Sequence, residues 1–174
     1  LPESTVVRLK NCSWRISSEL VTDVEDRGVI ACQGGNMSGW SMWLDEGRPH
    51  FTYNCFGRDI TTVSGPPLGP GAHLVEALFD YDGGFGQGGE LVLTVDERAV
   101  AHARVERTVP VVFSISGETF DVGTDTGSPV GPYRHDFKCS AKIVGVTLSR
   151  LNEPGDAVQA AEIEGLFRAG LSTQ

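Results

Sequence analysis

Short segments in which apolar and polar residues alternate, separated by glycine-rich turns, constrain this chain more than any other feature of its sequence. Two neighbouring examples are 40–44 and 51–55, with the polar sequence 45–48 between them. Alternation with a period of two places successive side chains on opposite faces of a strand, so that one face can be buried. The two segments therefore predict an antiparallel hairpin, with Trp40 and Trp43 on opposite faces of its first strand.

The same pattern recurs along most of the chain. The further strand candidates are 5–9, 14–21, 28–31, 74–79, 91–95, 99–105, 109–115 and 137–148. The glycine-rich stretch 82–89 is predicted to be a loop, because glycine loses much backbone freedom in a regular element. About ten short strands with no helices between them predict an all-β fold, either a two-layer sandwich or a barrel.

One helix is predicted near the C-terminus, over 156–169. Asp156 and Gln159 have the spacing of a capping box, and apolar residues follow in a moderate stripe. We therefore divide the chain into a β-sandwich domain over 1–150 and a C-terminal tail over 151–174 that carries the helix.

The charge of the chain argues against two classes of partner. Its formal net charge is -9, and a negative surface repels the phosphates of nucleic acids. The scattered Lys and Arg residues form no basic run that would hold an anionic membrane. No apolar run approaches the roughly 20 residues that span a bilayer. We expect neither nucleic acid nor membrane as a partner.

The four cysteines are far apart in the sequence: Cys12, Cys32, Cys55 and Cys139. They show no C-x-x-C spacing, so a structural zinc site is not expected. A chain of 174 residues can build its core without covalent staples, and free cysteine behaves as a small buried hydrophobe. We favour reduced thiols, which suggests a cytoplasmic setting, and keep two disulfides as the alternative.

Two acidic clusters are candidate calcium sites. Asp80 and Asp82 flank Tyr81 just before the glycine-rich stretch, and Asp121 and Asp125 lie in a loop-like segment further on. Calcium takes about 6–8 oxygen ligands, which loops of this kind can supply. The alternative is that Asp and Gly are simply good turn formers.

Signatures of catalysis are missing from the sequence. There is no H-E-x-x-H metal motif, no G-x-S-x-G nucleophile elbow and no G-x-x-x-x-G-K-[ST] phosphate loop. The E-x-D spacing that would place two carboxylates on one face of a strand, as a β-sandwich glycosidase needs, is absent as well. We therefore predict no catalytic residue in this chain.

Five longer segments follow one another along the chain. They are QGGNMSGWSMWL at 33–44 (preceded by GVI at 28–30), YNCFG at 53–57, LFDYDGG at 78–84, RVERTVP at 104–110 and ETFDVGTDTGSPV at 118–130. As a set and in this order they resemble motifs near the C-terminus of bacterial arylsulfatases, which belong to the sulfatase family. The resemblance implies a concanavalin-A-like or jelly-roll sandwich that follows the catalytic domain of such an enzyme.

The resemblance also implies where the chemistry of such an enzyme lies. The sulfatase nucleophile is a formylglycine made from Cys or Ser in a C/S-x-P-S-R motif, beside a calcium or magnesium ion. None of the four cysteines has this context; Cys12, for example, is followed by Ser-Trp-Arg. We therefore expect no catalytic residue, no cofactor-binding residue and no cofactor in this chain. The parent enzyme would hold the formylglycine and the metal in another domain.

Three functions remain open on this sequence. The first is a non-catalytic C-terminal domain of an arylsulfatase that packs against the catalytic domain in cis, with a homo-oligomer left open. The loops 82–89 and 121–127 are its candidate contact regions, because loops on a rigid sandwich carry such roles. The alternative is a module that binds carbohydrate or sulfated glycan, which needs exposed aromatic side chains and calcium. An independent hydrolase is the third.

Overall fold

Ten antiparallel strands form two five-stranded sheets. The computed structural model of the protein describes residues 1–114 and 117–151. The strands are β1 (Trp14–Thr22), β2 (Gly28–Gly34), β3 (Gly39–Asp45), β4 (Arg48–Cys55), β5 (Asp59–Ser64), β6 (Gly71–Tyr81), β7 (Gly89–Val95), β8 (Arg98–Val105), β9 (Phe120–Val122) and β10 (Lys142–Arg150). The first sheet has the order β10-β1-β6-β7-β8, and the second sheet has the order β5-β4-β3-β2-β9.

This architecture confirms the predicted all-β fold as an antiparallel two-sheet β-sandwich of the jelly-roll type. Within the described ranges the helical structure consists of one 3-10 turn, Glu3–Thr5. The predicted helix 156–169 lies outside the described residues, so the helix and the division into 1–150 and 151–174 stay predictions. In the part of the chain that is described, no helix combines the length and the apolarity that a bilayer crossing requires.

Two predicted strands are wrong. The segments 5–9 and 109–115 both carry alternating apolar residues, yet neither forms a strand where the structure describes it. The backbone is instead bonded to a side chain: the Glu3 carboxylate accepts hydrogen bonds from the amides of Phe113 and Ser114 at 2.9 to 3.1 Å. Such bonds satisfy the backbone without a ladder, so alternation alone does not establish a strand.

Two other strands are not predicted from the sequence. β5 is a mostly polar strand at the edge of the second sheet, and β9 has three residues. β9 begins one residue before the segment expected to be an acidic loop at 121–127 and extends into it, and it places Asp121 opposite Cys32 in the ladder. The predicted strand 137–148 also begins later than expected, at Lys142; before it, Lys138 makes a single bridge to Val29 of the other sheet.

The main core lies between the two sheets. Trp40 and Leu44 of β3 point into it and are fully buried, as the alternation predicts. The ring of Trp14 in the first sheet lies 5.2 Å from that of Phe79 and 5.6 Å from that of Phe51 in the second sheet, measured between centroids. Burial of each large apolar side chain contributes roughly 1.5–3 kcal/mol, so these rings hold the two layers together.

A smaller cluster covers the outer face of the second sheet. Trp43, which alternation places opposite Trp40, is buried under Val130 and Phe137 and is 6% exposed. Its indole Nε1 donates to the hydroxyl of Thr52 at 3.1 Å. Both tryptophans of β3 are therefore packing residues, because the segment after β9 folds back over this face.

Four connections meet at one end of the sandwich. Strand direction alternates in each antiparallel sheet, so successive turns alternate between its two ends. The connections β2–β3, β4–β5, β6–β7 and β8–β9 all contribute to one surface groove. The β6–β7 connection is the glycine-rich stretch, which forms a loop as predicted and ends where β7 begins at Gly89.

Candidate functional site

An open groove of about 570 Å³ lies between these four connections. Its lining residues are Met37, Cys55, Phe56, Arg58, Asp59, Phe85, Gly86, Arg107, Thr108 and Pro110. Pockets that hold small ligands are usually of this size and combine apolar walls with a few polar groups. The groove therefore has the dimensions and the mixed lining of a ligand site.

Phe56 enters the groove from a strained turn. The amide of Arg58 donates to the carbonyl of Cys55 at 3.3 Å, and the two central residues, Phe56 and Gly57, have φ values of +57° and +65°. Turns of this type favour Asn-Gly, because a side chain at positive φ is strained and Asn tolerates it best. The phenylalanine ring is 47% exposed. Neither burial nor backbone preference accounts for a phenylalanine at this position.

The side chain of Asn54 holds this turn in place. Its Oδ1 accepts a hydrogen bond from the amide of Gly57 at 2.8 Å. Its Nδ2 donates to the carbonyls of Asn36 and Val130, both at 3.1 Å. Three anchors from one buried side chain fix the turn against its neighbours, so the ring of Phe56 projects from a defined backbone.

Phe85 faces the same groove from the glycine-rich loop and is 67% exposed. The loop around it is ordered by two side chains. The Oδ1 of Asn11 accepts from the amide of Gly86 at 2.9 Å, and the hydroxyl of Tyr81 accepts from the amide of Gln87 at 3.1 Å. A second large apolar ring is thus held in solvent by an organised loop.

Two arginines and one aspartate supply the charge of the groove. The Nε of Arg107 lies 3.3 Å from a carboxylate oxygen of Asp59, and the Arg107 side chain is 73% exposed. The guanidinium of Arg58 makes no ion pair with any residue in the described part of the chain. The groove therefore combines two exposed aromatic rings with an excess of positive charge.

Sequence reasoning identified one part of this site, because the candidate contact region 82–89 contains Phe85, and it missed the rest. The dipeptide Phe56-Gly57 stands where a tight hairpin normally has Asn-Gly, and Phe85 interrupts a run of glycines. The two arginines carry no such signal. Their approach to the rings depends on which connections share an end of the sandwich.

The predicted calcium residues Asp80 and Asp82 have separate partners. Asp82 is bonded by the guanidinium of Arg104, with one contact at 3.0 Å, and this hydrogen bond lowers the pKa of the Asp82 carboxyl. Asp80 accepts a hydrogen bond from the Ser13 hydroxyl at 3.4 Å. One of the two carboxylates thus already has a cationic partner from the protein.

The other predicted pair, Asp121 and Asp125, is brought together with the thiol of Cys32. One ligand atom from each lies within 4.8 Å of the others. Asp121 accepts from the amide of Thr126 at 3.0 Å, and the buried Asp125 accepts from the Tyr133 hydroxyl at 2.8 Å. We name these three residues the acidic cluster; Cys32 is the member that the sequence did not reveal.

Electrostatics separate the members of the acidic cluster. Burial alone would raise the pKa of Asp121, but hydrogen bonds from Thr119 and Thr126 outweigh it and lower that pKa. Burial raises the pKa of Asp125, and burial together with both carboxylates raises that of the Cys32 thiol. Calcium prefers oxygen donors, so a protonated thiol adds nothing to such a site. Calcium at either pair stays a prediction.

All four cysteines lie in the described part of the chain, and no disulfide joins any two of them. Cys12, Cys32 and Cys55 are buried. This agrees with the expected reduced thiols, which serve as small packing residues here.

Comparisons with known proteins place the fold. No protein-family model matches the chain, and neither does any curated protein. Among solved structures, domains LG4-5 of the mouse laminin alpha1 chain align with a TM-score of 0.55 and 20% identity, covering 89% of this chain and 42% of that one. The chain thus spans less than half of that laminin structure.

A second similar structure is the CBM40 of the Ruminococcus gnavus IT-sialidase bound to alpha2,3 sialyllactose. It aligns with a TM-score of 0.55 and 15% identity, covering 91% of this chain and 85% of that one. The LG1-3 region of the laminin alpha2 chain gives a TM-score of 0.53 at 16% identity, over 86% of this chain and 30% of that one. At these identities the likeness is one of fold: the chain is a β-sandwich of the kind found in laminin LG domains and in this sialidase module.

Proposed function

We propose that this chain is a non-catalytic carbohydrate-binding module and that the groove between its four connections is the binding site. The observation that carries the proposal is the pair of exposed rings, Phe56 and Phe85. Both are held in solvent by organised backbone, and one is held there in a strained conformation. Strain of this kind persists where surrounding structure enforces it, and it concentrates at ligand sites.

Exposed aromatic rings suit carbohydrate because one face of a pyranose ring presents C–H groups. An aromatic face can cover those groups while the sugar hydroxyls stay in water or bond to the protein. Aromatic contacts contribute about 0.5–1.5 kcal/mol each beyond the area that they bury. Two rings with polar groups between them therefore provide weak and oriented binding.

The fold comparison supports the same function. The sialidase CBM40 is a carbohydrate-binding module that was solved with sialyllactose, and it shares this sandwich over 91% of the chain. This comparison supports the scaffold, and the groove with its two rings supports the site.

The test is a titration of the protein with oligosaccharides. Two-dimensional NMR detects which amides shift, and calorimetry measures the affinity. The probes are lactose, sialyllactose, chitohexaose and a chondroitin hexasaccharide. We expect shifts of the amides around Phe56 and Phe85, and Phe56→Ala and Phe85→Ala should each weaken binding by about twofold to tenfold. Val24→Ala is the matched control, because Val24 is 66% exposed in the β1–β2 connection. If no probe shifts the groove, the proposal fails.

We propose as a second possibility that the module is the C-terminal domain of a sulfatase and packs in cis on its catalytic domain. The order of the five resembling segments favours it. Several of their residues contact one another: the Gln33 Oε1 accepts from the Trp40 Nε1 at 3.1 Å, and the Tyr53 hydroxyl accepts from the Val109 amide at 3.0 Å. The segments thus carry fold-defining contacts, which supports a shared scaffold.

The catalytic groups of such an enzyme do not fit this chain. No C/S-x-P-S-R motif is present, and three of the four cysteines are buried. The full reading frame tests the proposal, because a sulfatase would carry a formylglycine motif upstream of this domain. A reading frame without that motif would remove the sulfatase parent and leave the carbohydrate-binding proposal intact.

A further inference from the structure

The charged residues that line the groove sum to a positive charge, whereas the whole chain is negative. The protein carries a net charge of -9, whereas the groove lining holds Arg58 and Arg107 against Asp59 as its one acidic residue. We propose that the groove selects an acidic carbohydrate, one that bears a carboxylate or a sulfate ester, through these two arginines. This proposal rests on the proposed function, since it specifies the ligand class of the same site.

Arg58 places a cation beside the strained ring. It follows Phe56 and Gly57 in the same turn, and its backbone amide closes that turn on Cys55. Its side chain is exposed and makes no ion pair in the described ranges. A sugar that stacks on the Phe56 ring would therefore lie next to a guanidinium without a counter-charge.

Arg107 presents a second guanidinium that is only partly engaged. Its Nε faces Asp59 at 3.3 Å, and its two Nη groups make no hydrogen bond within the described residues. Guanidinium binds carboxylate and sulfate-like oxyanions through paired N–H groups, so the free edge of Arg107 suits such a ligand. Asp59 holds the arginine at the groove but also opposes a negative ligand.

A neutral ligand would leave these charges without a role. Exposed arginines on an acidic surface normally pair with neighbouring carboxylates, and each such pair contributes little. Here Arg107 pairs with Asp59, Arg58 has no ion pair within the described residues, and both arginines line the groove that carries the exposed rings. The arrangement provides stacking for the sugar ring and charge for its acidic substituent.

The test uses two series of probes whose members differ in their acidic groups. Lactose is neutral, sialyllactose adds a carboxylate, and sulfated lactose adds a sulfate ester; chondroitin hexasaccharides with and without sulfate form a second series. In the lactose series we expect each acidic member to bind at least about tenfold more tightly than neutral lactose at low salt, with affinity falling as salt rises. In the chondroitin series, which carries glucuronate carboxylates throughout, the sulfated member should bind more tightly than the unsulfated one. The two charged members of the lactose series distinguish carboxylate from sulfate.

Variants separate the charges. Arg58→Gln and Arg107→Gln should each weaken binding of the acidic probe by about threefold to tenfold and leave any neutral probe unaffected. Asp59→Asn should strengthen acidic binding by about twofold to threefold, because it removes a competing carboxylate. Arg48→Gln, at the other end of β4, is the control and should change nothing. Neither a structural role nor misfolding predicts these opposite signs.

The outcomes also separate the two proposals. If neutral probes shift the groove residues as strongly as acidic ones, or Arg58→Gln and Arg107→Gln leave acidic binding unchanged, the acidic ligand class is wrong and a carbohydrate site remains. If no member of either series shifts the groove residues, both proposals fail.

Discussion

Phe56 occupies a backbone position that other residues fill at lower cost. A φ of +57° costs most L-residues roughly 1–2 kcal/mol relative to right-handed geometry, and Asn and Gly are the residues that adopt it routinely. Asn54 fixes the turn, so the strain cannot relax. Stability and ligand binding therefore make opposite demands on this residue.

Phe56→Asn should make the protein more stable and a weaker binder. We expect the free energy of unfolding to rise by about 0.5–1.5 kcal/mol as the strain is removed, while carbohydrate affinity falls for lack of the ring. Urea unfolding and calorimetry measure the two effects. Phe85→Asn is the comparison, because Phe85 has no positive φ; it should lose binding without the gain in stability. A less stable Phe56→Asn protein would mean that the ring packs instead of being displayed.

His73 makes two hydrogen bonds that require its protonated form. Nδ1 faces the Asp96 carboxylate and Nε2 faces the carbonyl of Gly69, both at 2.8 Å. Burial alone would lower the pKa of His73, but these two acceptors outweigh it and raise the pKa. A raised folded-state pKa means that the stabilisation is complete below the unfolded value and is lost as pH rises through the folded value.

His73→Gln should therefore destabilise the protein more in acid than in base. We expect the difference in unfolding free energy between wild type and variant to be about 0.5 kcal/mol larger near pH 6 than near pH 8.5, a modest value because solvent screens the half-exposed pair. Urea unfolding at several pH values measures it. His102→Gln provides the comparison histidine. An equal effect at both pH values would show that the ring acts through packing.

At the scale of elements, the two carboxylates of the acidic cluster hold the short strand β9 and the segment after it in place through hydrogen bonds to the backbone. Asp121 in β9 accepts from the amide of Thr126, and Asp125 accepts from the amides of Gly127 and Val130 at 3.2 and 3.3 Å. These are the hydrogen bonds by which Asp forms turns, the alternative to calcium that the sequence allowed. A bound calcium would have to share or replace these donors.

The calcium prediction can be tested on this element. A site at Asp121 and Asp125 predicts that calcium raises the melting temperature, and that Asp121→Asn abolishes the calcium effect along with some stability of its own. Both carboxylate oxygens of the half-buried Asp121 accept hydrogen bonds, and asparagine keeps one acceptor. Losing the other bond costs about 0.5–1.5 kcal/mol, so the variant should be less stable even without the ion. Thermal unfolding with calcium and with a chelator measures both. Equal melting temperatures in the two conditions would leave the turn as the function of the cluster.

The sequence predicts an element correctly when contacts between neighbouring residues decide its structure, and it fails when contacts between distant residues do. The faces of β3 follow from alternation, because Trp40, Met42 and Leu44 need nothing beyond a strand to share a side. The failures at 5–9 and 109–115 have the same pattern but different backbone partners. In 5–9 the amides of Thr5 and Val6 bond to the carbonyls of Pro2 and Glu3 in a local turn. In 109–115 the amide of Phe113 bonds to the Glu3 carboxylate, 110 residues away. No local pattern reports such a contact.

At the scale of the whole molecule, the groove and the acidic cluster depend on different packing. The groove is assembled from connections of both sheets, so it requires the main core between them. The acidic cluster joins Cys32 of β2 and Asp121 of β9 to Asp125 in the segment that covers the second sheet. That cover, the segment 123–138, is held by the packing of Trp43 on Val130 and Phe137 and by a hydrogen bond of 2.8 Å between the hydroxyls of Tyr133 and Ser41. The fold class could be predicted from the sequence. The separate packing of the groove and of the acidic cluster could not, because it depends on which face of the sandwich the segment after β9 covers.

Trp43→Ala should therefore destabilise the segment that covers the second sheet and leave the packing between the two sheets intact. Truncating a buried tryptophan costs roughly 3–5 kcal/mol, and here the loss falls on the contacts between the second sheet and Val130 and Phe137. Local opening of 123–138 should become easier, and amide exchange in that segment should accelerate by about a hundredfold or more, with β1 and β6 changing far less. Hydrogen exchange read by mass spectrometry measures it.

Phe79→Ala is the matched control, because Phe79 lies in the main core and contacts Trp14. The loss of stability in Phe79→Ala affects every element that folds with that core. We therefore expect faster amide exchange across both sheets and a lower affinity of the groove for carbohydrate. Carbohydrate binding should fall strongly in Phe79→Ala. It should weaken less in Trp43→Ala, where Asn54 loses its hydrogen bond to the Val130 carbonyl but keeps those to Asn36 and Gly57. If amide exchange in Trp43→Ala accelerates equally in all strands, the cover and the sandwich unfold as one cooperative unit. The groove and the acidic cluster would then open with the same free energy.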